Sequence, residues 1–392
     1  MQHRYRYLIV GGGMAADAAV DGIRSRDKDG SIGIVSSDAD PPYSRPPLSK
    51  ALWKGDSLDS VWRHTDDKGA TLHLGRTVRT IDKARKQVGD GTDNYAYEKL
   101  LIATGGTPRR LKDAVDGVIY YRTLRDYRRL HELAKTKTKF AVIGGGFIGS
   151  EIAAALALNG RQVTLLFPDA GINARALPAD LSHFVTDHYR KKGVEILAGE
   201  QVTAVARARN GFVVATDSGK RVEVDAVVAG LGIEPDVALA RGAGLSVDNG
   251  IVVNAALQTD DPDIFAAGDV VSFFNPALGK RMRVEHEDNS LTMGKMAGEA
   301  MAGGTVRYDH LPFFYSDLFD LGYEAVGEID SRHEIFADWS EPFRNGVVYY
   351  LKNGKVRGVL LWGIFSKTDE ARALIADAGP FKGPELKGRI RG

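Results

Sequence analysis

Two glycine runs, Gly11-Gly12-Gly13-Met14-Ala15-Ala16 and Gly144-Gly145-Gly146-Phe147-Ile148-Gly149, each follow an apolar strand-like segment in a chain that has no cysteine. Glycines at this spacing let the backbone turn tightly from a strand into a helix N-terminus, where free N–H groups and the helix dipole hold a pyrophosphate. Two such turns imply two dinucleotides, usually a flavin and a nicotinamide. Without a thiol pair to relay them, electrons that reach the flavin must leave from the flavin itself. The missing cysteines also exclude disulfides, thiolate zinc centres and cysteine-held iron–sulfur clusters, and no metal site is expected.

The turns need strands and helices to position them. The first unit reads as a strand over 7–10, a helix over about 14–26 and a buried strand over 31–36. The loop Pro41-Pro42-Tyr43-Ser44-Arg45-Pro46-Pro47-Leu48-Ser49-Lys50 cannot continue either element. A further apolar strand over 99–103 ends in Thr104-Gly105-Gly106, and an arginine-rich helix over 120–134 leads to the second unit. There a strand over 140–143, a helix over 147–159 and a strand over 162–167 repeat the plan. The fingerprints start 133 residues apart, which is a domain-sized separation. Alternation and turn residues over 202–228 suggest an antiparallel meander, closed by the stretch from Gly230 to Pro235 that includes Gly232. A strand then ends in Gly268-Asp269, a helix covers about 290–301, and strand-rich sequence follows from Phe313.

Composition sets bounds on function. The chain of 392 residues, 43% hydrophobic and 26% charged, is long enough for two or three cores. Its 52 basic and 51 acidic residues leave a net charge of +1, so nothing global favours nucleic acid or an anionic membrane. The N-terminal MQHRYRYLIVGGG carries no signal-peptide core, and no apolar run approaches the roughly 20 residues of a spanning helix, so the expected location is cytoplasmic.

Taken in order, LIVGGGMAADAA, PPYSRPPLSKALW, the ATG at 103–105, GGGFIGSEIAA, PDIFAAGD and RVEHEDN resemble the FAD-dependent ferredoxin reductases of the putidaredoxin-reductase type. LFPDAGINARALPADLS and SDLFDLGYEAVGEID look more like the apoptosis-inducing factors. The resemblance implies an α/β chain of glutathione-reductase-like architecture, with two Rossmann-like domains and a C-terminal α+β domain. An FAD domain over 1–118 and 246–312 is then split by an NAD(H) domain over 119–245, and residues 313–392 form the last domain.

Site residues follow from the resemblance position by position. FAD falls to Gly11, Gly13 and Ala16, to Ala103, Thr104 and Gly105, and to the late Gly268 and Asp269. Where the family has a ribose-binding glutamate this chain has Ser37, with Asp38 one residue on as a substitute. Arg45 is assigned to the FAD pyrophosphate, and Lys50 to the flavin ring as the partner of Glu151. An ammonium beside the ring stabilises its reduced, anionic form. Read alone, Lys50 is a solvated loop lysine and Glu151 an acid favoured by a helix N-terminus. His286, next to Glu285, and Tyr315, where tryptophan is usual, complete the flavin surroundings. Gly144, Gly146, Phe147, Ile148, Gly149 and Gly232 fall to NADH. Asp169, 23 residues after Gly146, favours NADH by accepting from the ribose 2′-hydroxyl, and Arg175 offers a 2′-phosphate some charge.

The expected reaction passes hydride from NADH to FAD and electrons onward to a ferredoxin or rubredoxin-type iron–sulfur protein. Arg281 and Arg283, then Arg76 and Arg79, are the expected docking cations. The alternatives are a redox-sensing flavoprotein with slow oxidase turnover, like the apoptosis-inducing factors, and a reductase of a small quinone. A homodimer is a possible state.

Overall fold

An apolar strand, a glycine turn and a helix occur twice, and each copy organises its own compact unit of the computed structural model, which describes residues 1–113 and 115–391. One unit comprises 1–45, 58–107 and 234–312, and the other 46–57, 108–233 and 313–392. The helices are α1 (Met14–Arg24), α2 (Leu124–Thr136), α3 (Phe147–Leu158), α4 (Ala179–Lys191), α5 (Ala238–Gly242), α6 (Glu287–Met301) and α7 (Thr368–Ala376).

In the first unit Gln2–Val10 lies between Ile32–Val35 and Asn94–Ile102 in a parallel sheet, with Ala70–His73 outside one neighbour and Ile264–Ala266 beside the other. The first strand starts five residues earlier than its apolar run, because Gln2–Tyr5 pairs with Asn94–Tyr97 while burying Tyr5. Val10 is level with both Val35 and Ile102, and Ile102 with Ala266, so the strands end on one edge. The glycine turn and Gly268 leave from that edge, where ligands bind in such sheets. Helices α1 and α6 pack in direct backbone contact: a Cβ on Gly294 would stand 2.3 Å from the Ala15 carbonyl oxygen, and one on Gly298 2.1 Å from that of Ala19.

The second unit contains a parallel sheet in the order Glu195–Ala198, Gln162–Phe167, Lys139–Ile143, Ala226–Ala229, Ile119–Tyr120. The expected meander is shorter than its sequence pattern. Val202–Ala208, Gly211–Thr216 and Arg221–Val224 form it, whereas Ala226–Ala229 joins the parallel sheet, its four residues buried on both faces. Arginine-rich α2 is capped by Thr123, whose hydroxyl and Asp126 form a reciprocal capping box. From Phe313 the chain builds a five-stranded antiparallel sheet backed by α7, in which buried Trp362 stacks on Tyr323 at 5.3 Å between ring centres. Among the described residues no helix is long and apolar enough to cross a membrane.

Candidate functional site

The two glycine turns share one stereochemistry. Gly11 and Gly144 have φ of +116° and +111°, and a Cβ would come within 2.2 Å of the Ala103 carbonyl oxygen in the first turn and 2.4 Å of the Gly230 carbonyl oxygen in the second. Both positions therefore require glycine twice over. The third glycines differ: Gly13 and Gly146 have ordinary φ of −94° and −83° and cap α1 and α3. A Cβ on Gly146 would meet nothing within 4 Å, and one on Gly13 only the Arg45 guanidinium at 3.9 Å. Packing does not demand glycine there. The open space fits the pyrophosphate of a dinucleotide, which a side chain would fill. Gly149 is closed by contact with the Gly144 carbonyl, and Ala16 holds the matching buried place in α1.

Around the first turn, the Arg45 guanidinium stands 5.3 Å over the Tyr43 ring, and the Tyr43 hydroxyl donates to Asp38 at 3.0 Å. Asp38 also accepts the Asp40 N–H at 3.3 Å, so its carboxylate is engaged in shaping the loop, while Ser37 is exposed. Ala103 is buried; the Thr104 hydroxyl donates to the Asp236 carbonyl at 2.8 Å, and Gly105 turns with φ +69° and accepts the Asp236 N–H. Gly268 has φ +83° and donates to the Met293 sulfur, and Asp269 accepts from the Ser290 hydroxyl at 3.2 Å. His286 caps α6, and burial pushes its imidazole down to about 4, against opposing pulls from Asp269 and Asp288. It is a neutral imidazole at pH 7. Arg283 pairs with Glu285 at 2.6 Å and donates to the Asp269 carbonyl, and Arg281 donates to the Val253 and Ser272 carbonyls. These two arginines tie backbone together, and Arg76 faces Asp90 and Asp93 at 3.6 Å.

In the second unit Glu151 is 3% exposed, one turn into α3. Its Oε1 receives the Lys50 ammonium at 2.7 Å and the Ser316 hydroxyl at 2.7 Å, and its Oε2 receives the Ser49 hydroxyl at 2.6 Å. A buried carboxylate is tolerated only with this density of donors. The Lys50 ammonium also lies 5.1 Å from the Tyr315 ring, a cation–π contact. Lys50 is placed by the turn Pro46–Ser49, whose Leu48 carbonyl accepts from the Trp53 indole at 2.8 Å and from the Tyr121 hydroxyl. Ser49 and Ser316 are partners of Glu151 that motif reading missed. Their only sequence signal is adjacency, each one residue from an expected site residue. Farther out, Arg175 pairs with Asp169 at 3.3 Å on the surface. Gly232 has φ +79°, Ile148 is exposed, and Phe147 meets the Phe314 ring at 5.1 Å.

Residues 5–294 match the family model of the pyridine nucleotide-disulphide oxidoreductases, and residues 333–377 that of the apoptosis-inducing factor C-terminal region. Apoptosis-inducing factor 1 of Dictyostelium discoideum is 35% identical over 95% of this chain and 78% of its own. The ferredoxin–NAD(+) reductase component of the Burkholderia cepacia anthranilate 1,2-dioxygenase system is 37% identical over 82% of this chain and 81% of its own. Among solved structures, the covalent putidaredoxin reductase–putidaredoxin complex superposes with a TM-score of 0.90 at 31% identity, covering 97% of this chain and 95% of that one.

Proposed function

Because the chain belongs to the pyridine nucleotide-disulphide oxidoreductase family, we propose that its glycine turns serve FAD in the first unit and NADH in the second, and that electrons pass onward to a small iron–sulfur protein. The chain is an NAD(P)H-dependent flavin oxidoreductase, with FAD and NAD(H) as its cofactors. The observation that carries the reading is the pair of open third glycines, Gly13 and Gly146, in a chain with no cysteine to take electrons from the flavin.

A bound FAD would supply the hydride-accepting and electron-releasing chemistry. The residues then divide the work. Backbone N–H groups at the starts of α1 and α3 would hold the two pyrophosphates, with Arg45 adding charge at the first. Lys50, kept in place by Glu151 and in cation–π contact with Tyr315, would supply positive charge to stabilise a reduced flavin. His286, neutral at pH 7, donates or accepts a hydrogen bond without adding charge. Asp169 would favour NADH over NADPH by accepting from the 2′-hydroxyl of the adenosine ribose. A division into an FAD domain, an NAD(H) domain and a C-terminal domain, and a cytoplasmic location, belong to the same proposal. Two named proteins support the acceptor: the B. cepacia relative is called a ferredoxin reductase, and the superposed structure is a complex with putidaredoxin.

Rapid mixing with NADH under nitrogen, followed by a panel of acceptors, tests the scheme. Fast flavin reduction and fast reoxidation by an iron–sulfur protein are expected; reoxidation by small quinones alone would replace the acceptor. The C-terminal match over 333–377 favours a second reading, a redox sensor with slow oxidase turnover. A long-lived complex of reduced flavin with NAD that no acceptor discharges would select it.

A further inference from the structure

Asp17 is 0% exposed in the first turn of α1, and the proposed reaction makes no use of it. A carboxylate there is favoured by the helix dipole but stands near the turn that must receive a negative pyrophosphate, so its bare charge would weaken the cradle. The surroundings absorb that charge. Arg63 Nε donates to Oδ2 at 2.6 Å; the Thr65 hydroxyl and the Lys68 ammonium donate to Oδ1 at 2.6 and 2.8 Å. Lys68 also bonds Asp21 at 2.9 Å, so two carboxylates and two cations leave the cluster neutral. Burial works to raise the Asp17 carboxyl, and the bonds from Lys68, Thr65 and Arg63 override it and hold it below the usual carboxylate range.

The same guanidinium reaches outward. Arg63 Nη1 donates to the Ser44 hydroxyl at 3.2 Å. The segments around Tyr43 and Trp62 are zipped together by a β-bridge, with the Ser44 N–H on the Val61 carbonyl at 2.8 Å and the Arg63 N–H on the Pro42 carbonyl at 3.1 Å. The residue after Ser44 is Arg45, whose guanidinium faces Gly13. A linked path therefore runs from the interior of α1 to the cation at the glycine turn.

We infer that Asp17 is a positioning residue for the flavin cofactor: through Arg63 and Ser44 it pins the strap that carries Arg45, so that the guanidinium already faces the Gly13 turn when the pyrophosphate of FAD arrives. The inference rests on the assignment of FAD to the first unit. Its physical content is preorganisation, since an arginine that must be ordered on binding gives up affinity that a fixed one keeps.

A double-mutant cycle on the full-length holoprotein tests it, reading equilibrium FAD release by flavin fluorescence and folding by thermal unfolding. Arg63→Met is expected to raise the FAD dissociation constant about tenfold, and to change it less than about twofold when Arg45→Met is already present, because the group it positions is gone. An unchanged constant in Arg63→Met, or the same loss in both backgrounds, would overturn the inference. If Arg63→Met fails to fold, Ser44→Ala cuts the outer link and leaves the pair with Asp17 intact; a loss of about threefold that disappears beside Arg45→Met is expected, and a loss independent of Arg45 overturns it equally. A parent protein that releases no FAD on denaturation would instead remove the FAD assignment itself.

Discussion

At the scale of single residues, the centre of the second unit is a carboxylate that tolerates burial only while its donors remain. Glu151 receives one ammonium and two hydroxyls, which gives Lys50 a structural duty besides its electronic one. A solvated loop lysine could be replaced without loss of stability, but with a 2.7 Å bond to a carboxylate 3% exposed, Lys50→Met should destabilise the protein. Removing one partner of a buried pair costs about 3 kcal/mol, and the lost charge should slow flavin reduction by NADH about tenfold. Denaturant unfolding and rapid-mixing kinetics read the two effects separately; unchanged stability would mean that Ser49 and Ser316 suffice for Glu151. His286 gives a pH-dependent prediction. Above pH 6.5 its ring is neutral in both folded and unfolded chains; as pH falls from 6.5 toward about 4 the unfolded chain takes up a proton that the folded one refuses, so stability declines. By pH 5 this one group should remove about 2 kcal/mol. Urea midpoints at pH 7 and pH 5 check it: His286→Gln should lose less stability than the parent over that interval, and equal losses would place the imidazole in water.

At the scale of elements, the strand edge where Val10, Val35, Ile102 and Ala266 end, and the glycines that let α1 and α6 touch, set the first cradle. Gly298→Val would drive a side chain into the Ala19 carbonyl, 2.1 Å from the position of its first carbon, so the helices must part. A loss of about 3 kcal/mol and reduced FAD content are expected from such overpacking; thermal unfolding and flavin-to-protein ratio measure both, and full flavin occupancy would show that α1 holds its place without α6. The strand Gln162–Phe167 delivers Asp169 to the surface, where it pairs with Arg175. Asp169→Ala should lower the kcat/KM preference for NADH over NADPH about tenfold, because it removes the acceptor for the 2′-hydroxyl and frees Arg175 for a 2′-phosphate. An unaltered ratio would mean that another group reads the ribose.

For the whole molecule, a net charge of +1 leaves no global field to steer an acidic partner, so any steering is local. Arg281 donates to the Val253 and Ser272 carbonyls, and Arg283 to the Asp269 carbonyl and Glu285, so Arg281→Glu would disturb the backbone around Ser272 as well as local charge. The direct measurement is salt. Transfer to an acidic iron–sulfur protein should slow severalfold as ionic strength rises past about 0.1 M, where the screening length is about 10 Å, while flavin reduction by NADH stays nearly constant. An acceptor step indifferent to salt would point to a small neutral oxidant.

Local pattern alone was enough to locate both strand–glycine–helix turns, because a tight turn and a helix start depend on a few neighbouring residues. It was also enough to exclude a thiol relay, since that depends only on composition. It misjudged the end of the meander, where Ala226–Ala229 looks like one more alternating strand until the parallel sheet buries both of its faces. Charge partners were beyond local pattern, and the one pair anticipated, Lys50 with Glu151, came from the family resemblance. Whether Lys50 is a solvated lysine or the counter-ion of Glu151, and which carbonyls Arg281 meets, are decided by atoms far apart along the chain. A side chain's charge is written in the sequence, but what neutralises it is settled only when folding removes water and brings the partner within hydrogen-bond distance.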